Sequence, residues 1–113
     1  MHTSNFAKRG EDPHAVSISR WTPRWLKNPI RKYIDLAPST SLLNRYKQGL
    51  VTQEEYTQEY IQDTLSQLDP FDVYEDLGEN AILCCYEKST DFCHRHIVAK
   101  WLSDELGIAI LEI

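Results

Sequence analysis

The 113-residue chain carries a net charge of −5, and its 42% hydrophobic and 26% charged residues are ordinary for a folded globular domain, which argues against disorder and a fibrous class. That length suits one domain around one core. No apolar run approaches the ~20 residues of a membrane span, and the opening stretch lacks the apolar segment of a signal peptide, so the sequence predicts a cytoplasmic protein with no membrane partner.

From the N-terminus, residues 2–7 and 15–19 are rich in small or β-branched residues and are bounded by Arg9-Gly10 and Asp12-Pro13, so both are predicted strands. Trp21 to Leu26 is predicted as a helical turn opened by Pro23 and ended by Asn28-Pro29. Residues 33–38 are irregular. Leu42, Leu43 and Tyr46 have helical spacing, with Ser39 or Ser41 as a cap and Gly49 just past the end. The clearest helix starts at Thr52, where Glu55 completes a capping box, and buries Tyr56, Tyr60, Ile61, Thr64, Leu65 and Leu68 before Asp69-Pro70 stops it.

Phe71 to Leu77 is predicted as another helical turn or short helix, closed by Gly78. Residues 81–86 form a continuous apolar strand of the kind covered on both faces. A last helix spans about Phe92 to Leu106, stopped by Gly107, and residues 108–113 form a final strand. Strand, helix and strand in this order imply a parallel pair, and the whole pattern an α/β layer fold in a single domain with a mostly parallel sheet.

Chemistry-bearing residues concentrate between 81 and 102, where the apolar strand breaks into a loop that re-emerges as a helix. Ligands of parallel sheets bind beyond the carboxyl ends of the strands, so one rim is predicted to collect Arg20, Cys85, Glu87, Cys93, His94 and Arg95. Alternation along the strand points Cys84 into the core, and Cys85 with Glu87 to the other side. On the helix, His94 shares the apolar arc of Ile97, Val98, Trp101 and Leu102 and should face the sheet, His96 should lie on the surface, and Arg95 should swing over the rim.

A helix N-terminus lowers a cysteine pKa and disfavours a protonated histidine, so a Cys93 thiolate beside a neutral His94 would be a nucleophile beside a base. An arginine at that positive end hints at a bound phosphate or carboxylate; the alternative is an ion pair with Glu87 or Asp91. Cys85, Cys93 and His94 could also supply three zinc ligands, but their spacing matches no common zinc pattern, and no metal is assigned. No cofactor is named by these residues.

Cys85-Tyr86-Glu87 after Leu83, together with Cys93-His94-Arg95, resembles the domain of unknown function 488 family, whose members carry an apolar strand ending in Leu-Cys-x-Glu and a following Cys-His-Arg. Cys84 stands where a second aliphatic residue is expected. A shorter branch of that family is also similar to Thr3-Ser4-Asn5-Phe6-Ala7, Val16-Ser17-Ile18-Ser19-Arg20 and Leu36-Ala37-Pro38. The resemblance implies a Rossmann-like three-layer α/β fold and a shared polar pocket. It adds Ser4, Asn5 and Ser19 to Arg20 as candidate ligand-binding residues beside the candidate catalytic Cys85, Glu87, Cys93, His94 and Arg95.

Two functions follow. The first is an enzyme on a phosphate-bearing nucleotide or nucleic-acid-related substrate, with Arg95, Arg20 and helix N–H groups holding the anion, Cys93 or Cys85 as nucleophile, and His94 or Glu87 as acid or base. The tyrosine phosphatase spacing, Cys-x5-Arg, is absent. The second is a non-catalytic module that binds a nucleotide or nucleic acid, or regulates a partner protein. Its surface would be the basic first half, where residues 1–50 hold nine Lys or Arg against three Asp or Glu, while residues 51–113 hold three against fourteen. There Trp21, Trp25 and Tyr33 interleave with Arg20, Arg24, Lys27, Arg31 and Lys32, unless the tryptophans are core anchors.

Overall fold

The computed structural model describes residues 1–113. In chain order the elements are β1 (His2–Asn5), α1 (Phe6–Arg9), β2 (Ala15–Ser17), β3 (Arg31–Lys32), a 3-10 turn at Ile34–Leu36, α2 (Thr40–Lys47), α3 (Gln53–Asp63), a 3-10 turn at Leu65–Gln67, α4 (Pro70–Leu77), β4 (Ile82–Cys85), α5 (His94–Leu106) and β5 (Leu111–Glu112). The strands form one sheet in the order β3-β2-β4-β1-β5, and every pairing is parallel. The carboxyl ends of β1, β2 and β4 therefore lie side by side at one rim.

Alternation along the strands divides the apolar residues between two faces. Val16, Leu83 and Cys85 pack on one face with Tyr56, Tyr60, Val73, Val98 and Leu102 of the longer helices. Ala15, Ile82 and Cys84 turn to the other, where Phe6 of α1, Leu26 and Ile30 cover them. The result is a three-layer α/β fold whose second layer is abbreviated to one helical turn and a loop.

Local chemistry explains the helix starts. Ser39 accepts from the Leu42 N–H, Asp69 accepts from Phe71 and Asp72 with Pro70 at the first helical position, and Thr52 with Glu55 forms the reciprocal capping box. The last helix ends at Gly107, whose φ of 67° is left-handed and costs glycine little.

Several sequence expectations need correction. The first strand stops at Asn5 because its side chain accepts the Lys8 N–H and caps α1, so Phe6 and Ala7 are helical. The second ends at Ser17, the last at Leu111–Glu112, and α5 starts at His94 rather than Phe92. Residues 21–26 form no helix, since no apolar stripe holds them to the sheet; Trp21 and Trp25 are 55% and 59% exposed and anchor no core. Ile61 faces solvent, α3 ends at Asp63 instead of continuing to Asp69-Pro70, and β3 is a two-residue exposed edge strand with no strand signal in its own residues.

Candidate functional site

The site grows from the end of β4, the strand hydrogen-bonded to both β2 and β1. Cys85, its last residue, is buried and turns toward the helical face. The chain then loops through Tyr86 and Glu87 and returns at Cys93, the residue that caps α5. This return brings the Cys85 and Cys93 sulfurs to 2.7 Å, with both thiols free.

His94 is buried and held by two partners. Its Nε2 lies 2.7 Å from the Ile18 carbonyl oxygen, which can only accept, so Nε2 carries the hydrogen. In the neutral ring Nδ1 is then the bare nitrogen, and it faces the Cys93 sulfur at 3.7 Å. The backbone thus selects the tautomer that presents a base to a thiol.

Arg95 is fully buried and does not reach the rim. Its Nε and Nη2 donate to the two carboxylate oxygens of Glu112 at 3.1 and 3.0 Å, and its Nη1 donates to the Cys85 sulfur at 3.6 Å. The Thr3 hydroxyl adds a 2.6 Å hydrogen bond to Glu112. Burial alone would raise the Glu112 pKa, but hydrogen bonds from Arg95, Thr3 and Ser89 and the guanidinium charge outweigh it and hold the carboxyl at about 2. Burial likewise pulls Arg95 down, and the Glu112 hydrogen bonds more than reverse it, so the guanidinium stays charged. The ion-pair partner is Glu112, not Glu87 or Asp91.

The expectation of a low Cys93 pKa is reversed. Burial pushes the Cys93 thiol up, contact with the Cys85 sulfur adds to this, and His94 only partly opposes it. Its sulfur takes no capping hydrogen bond from the first turn of α5, so the helix terminus gives it no direct help. Cys84 is buried on the opposite face, where burial raises its thiol to about 12. His96 is not a surface residue: it is half-buried, its Nε2 has no partner, and burial with the nearby Arg95 charge lowers its pKa.

A pocket of about 690 Å³ opens above Cys93 and His94. Ser19, Arg20 and Glu87 line it, as do Trp21, Tyr46, Lys47, Tyr56, Tyr86 and Phe92. Ser4, Asn5, Cys85 and Arg95 do not. Asn5 is occupied in capping α1, and the buried Ser4 hydroxyl has no partner. Arg20 donates from Nε and Nη2 to the Pro38 carbonyl, which leaves Nη1 for a ligand. Sequence reasoning missed the aromatic wall because Tyr46 and Tyr56 carry helical core spacing, and both pack with the core while also lining the pocket.

Ligand atoms of Cys85, Cys93 and His94 lie within 4.8 Å of one another, the closeness a metal site needs. The sulfurs are nevertheless nearer than two thiolates on one tetrahedral zinc, whose ~2.3 Å bonds hold them roughly 3.8 Å apart. To share that ion the two sulfurs would have to open by about 1 Å from the 2.7 Å at which they stand.

Fold and site together define a parallel α/β domain with a thiol–imidazole pair at the carboxyl rim of its sheet. The chain belongs to the domain of unknown function 488 family: residues 7–106 match the model described as the active DUF488-N3 subclade. No curated protein and no solved structure matches it. No helix is long and apolar enough to cross a membrane.

Proposed function

We propose that this protein is an enzyme acting on a phosphate-bearing nucleotide or nucleic-acid-related substrate in the pocket above Cys93. The observation that carries the reading is the pairing of the pocket-lining Cys93 sulfur with His94 Nδ1, in the tautomer selected by the Ile18 carbonyl. Cys93 is the nucleophile and His94 its base; because the thiol is neutral at rest, His94 takes the proton as the sulfur attacks. Arg20 and Lys47 supply positive charge for a phosphate, and Trp21, Tyr46, Tyr56, Tyr86 and Phe92 supply faces for a base. Glu87, exposed at the same wall, is a second acid or base.

Tryptophan fluorescence titrations with nucleoside mono- and diphosphates and short oligonucleotides test the substrate class, since Trp21 lines the pocket. Cys93→Ser should keep binding and lose turnover, and Arg20→Ala should weaken binding about tenfold, the loss of roughly one charge-assisted hydrogen bond. Full turnover by Cys93→Ser removes the nucleophile assignment. Absence of any binding at low salt removes the substrate class.

A non-catalytic nucleic-acid module is the second reading, favoured by the exposure of Trp21 and Trp25 beside Arg20, Arg24 and Lys27. Steeply salt-dependent oligonucleotide binding with no turnover would select it.

A further inference from the structure

Cys85 is the thiol of the pair that is buried and does not line the pocket. It is buried beneath Cys93, its sulfur lies 2.7 Å from the Cys93 sulfur, and the Arg95 guanidinium donates to it at 3.6 Å. Cys84, its neighbour in the chain, points through the sheet to the opposite face. We infer that Cys85 is a resolving cysteine, which closes a reversible disulfide with Cys93 when Cys93 is oxidised by a hydroperoxide entering the pocket.

Each step balances. The Cys93 sulfur, its proton taken by His94 Nδ1, attacks the outer peroxide oxygen; an S–O bond forms, the O–O bond breaks, and the departing oxygen takes the proton and leaves as alcohol or water. The Cys85 sulfur, with Arg95 Nη1 at 3.6 Å, attacks the Cys93 sulfenic acid; the S–S bond forms, the S–O bond breaks, and hydroxide leaves with the Cys85 proton as water. Closing the sulfurs from 2.7 Å to the ~2.05 Å of a disulfide moves them by less than about 1 Å. A dithiol reductant restores both thiols by exchange. The bridge ties up the pocket-lining thiol before it reaches the irreversible sulfinic acid, whatever substrate the pocket takes.

Peptide mapping of the folded protein after dilute hydrogen peroxide, without reduction, tests this and needs no substrate, so it stands or falls apart from the enzyme reading. The expected product joins the tryptic peptides 48–88 and 89–95 within one chain, is two hydrogens lighter than the separate peptides, maps to Cys85 on fragmentation, and is lost with dithiothreitol. Cys84→Ala should leave it unchanged. Cys85→Ser should abolish it and convert Cys93 to sulfinic acid instead. Sulfinic acid at Cys93 of the unaltered protein without a bridge, a bridge through Cys84 or between chains, or thiols that survive peroxide intact would each overturn the inference.

Discussion

Replacing Glu112 by Gln tests the polar core beneath the site. Arg95 has no exposed surface, and Glu112 is the only carboxylate paired with it, through both oxygens. Breaking a buried pair from one side strands the other charge and costs ~3–5 kcal/mol. Glu112 is 22% exposed, which puts the expected loss for Glu112→Gln near the low end, about 3 kcal/mol. Titration gives a second route to the same quantity. A carboxyl held at about 2 instead of 4.5 corresponds to about 3 kcal/mol at 1.36 kcal/mol per pH unit, reduced to about 2 by solvent screening. The folded-state pKa is depressed, so this stability is fully present above 4.5 and lost as pH falls through about 2. Urea denaturation midpoints across that range should show the unaltered protein losing about 2 kcal/mol more than Glu112→Gln. Adding Arg95→Met to Glu112→Gln should recover part of the loss at neutral pH, since no buried charge remains. A Glu112→Gln protein as stable as the parent, with the same acid slope, would refute the reasoning.

Alkylation of Cys93 by iodoacetamide, followed by mass spectrometry, should be slower than that of a free cysteine at neutral pH and still climbing above 9.0, because burial and the Cys85 contact keep the thiol protonated; a rate already saturated below neutral pH would contradict that environment. Tyr60→Phe should cost about 1–2 kcal/mol in denaturant unfolding, since it removes the hydrogen bond from a fully buried hydroxyl to the Leu36 carbonyl and leaves that oxygen unpaired. An unchanged midpoint would mean that water reaches Leu36.

Where the signal was local, the sequence was legible. Thr52 with Glu55 starts α3, Asp69-Pro70 starts α4 and Gly107 ends α5, each acting within one turn of the backbone, whereas α3 stops at Asp63, ahead of the Asp69-Pro70 expected to end it. Period-two alternation likewise separated Cys84 from Cys85, and 100° geometry turned His94 inward. What could not be read depends on distant partners. Arg31 and Lys32 carry no strand pattern of their own and pair only because β2 offers a free edge. Trp21 and Trp25 look like core residues by type, and only the tertiary fold shows that Leu26 and Ile30 take the inner positions while the indoles stay outside.

Arg95 shows why a distant partner changes the chemistry as well as the packing. At a helix N-terminus its charge opposes the dipole, and from the sequence alone a bound anion is the natural compensation. Glu112 supplies that compensation instead, from a strand lying beyond the matched segment 7–106, while Thr3 on β1 holds the carboxylate in place. Arg95 therefore has no unmet need for a phosphate, and its remaining donor goes to the Cys85 sulfur. Under the proposed function anion recognition would fall to Arg20 and Lys47, which line the pocket, while Arg95 contacts the buried Cys85 sulfur. Two cations at the pocket wall and Arg95 beneath it give the two sulfurs different surroundings, which is the physical basis for proposing that Cys93 meets the ligand and Cys85 meets Cys93.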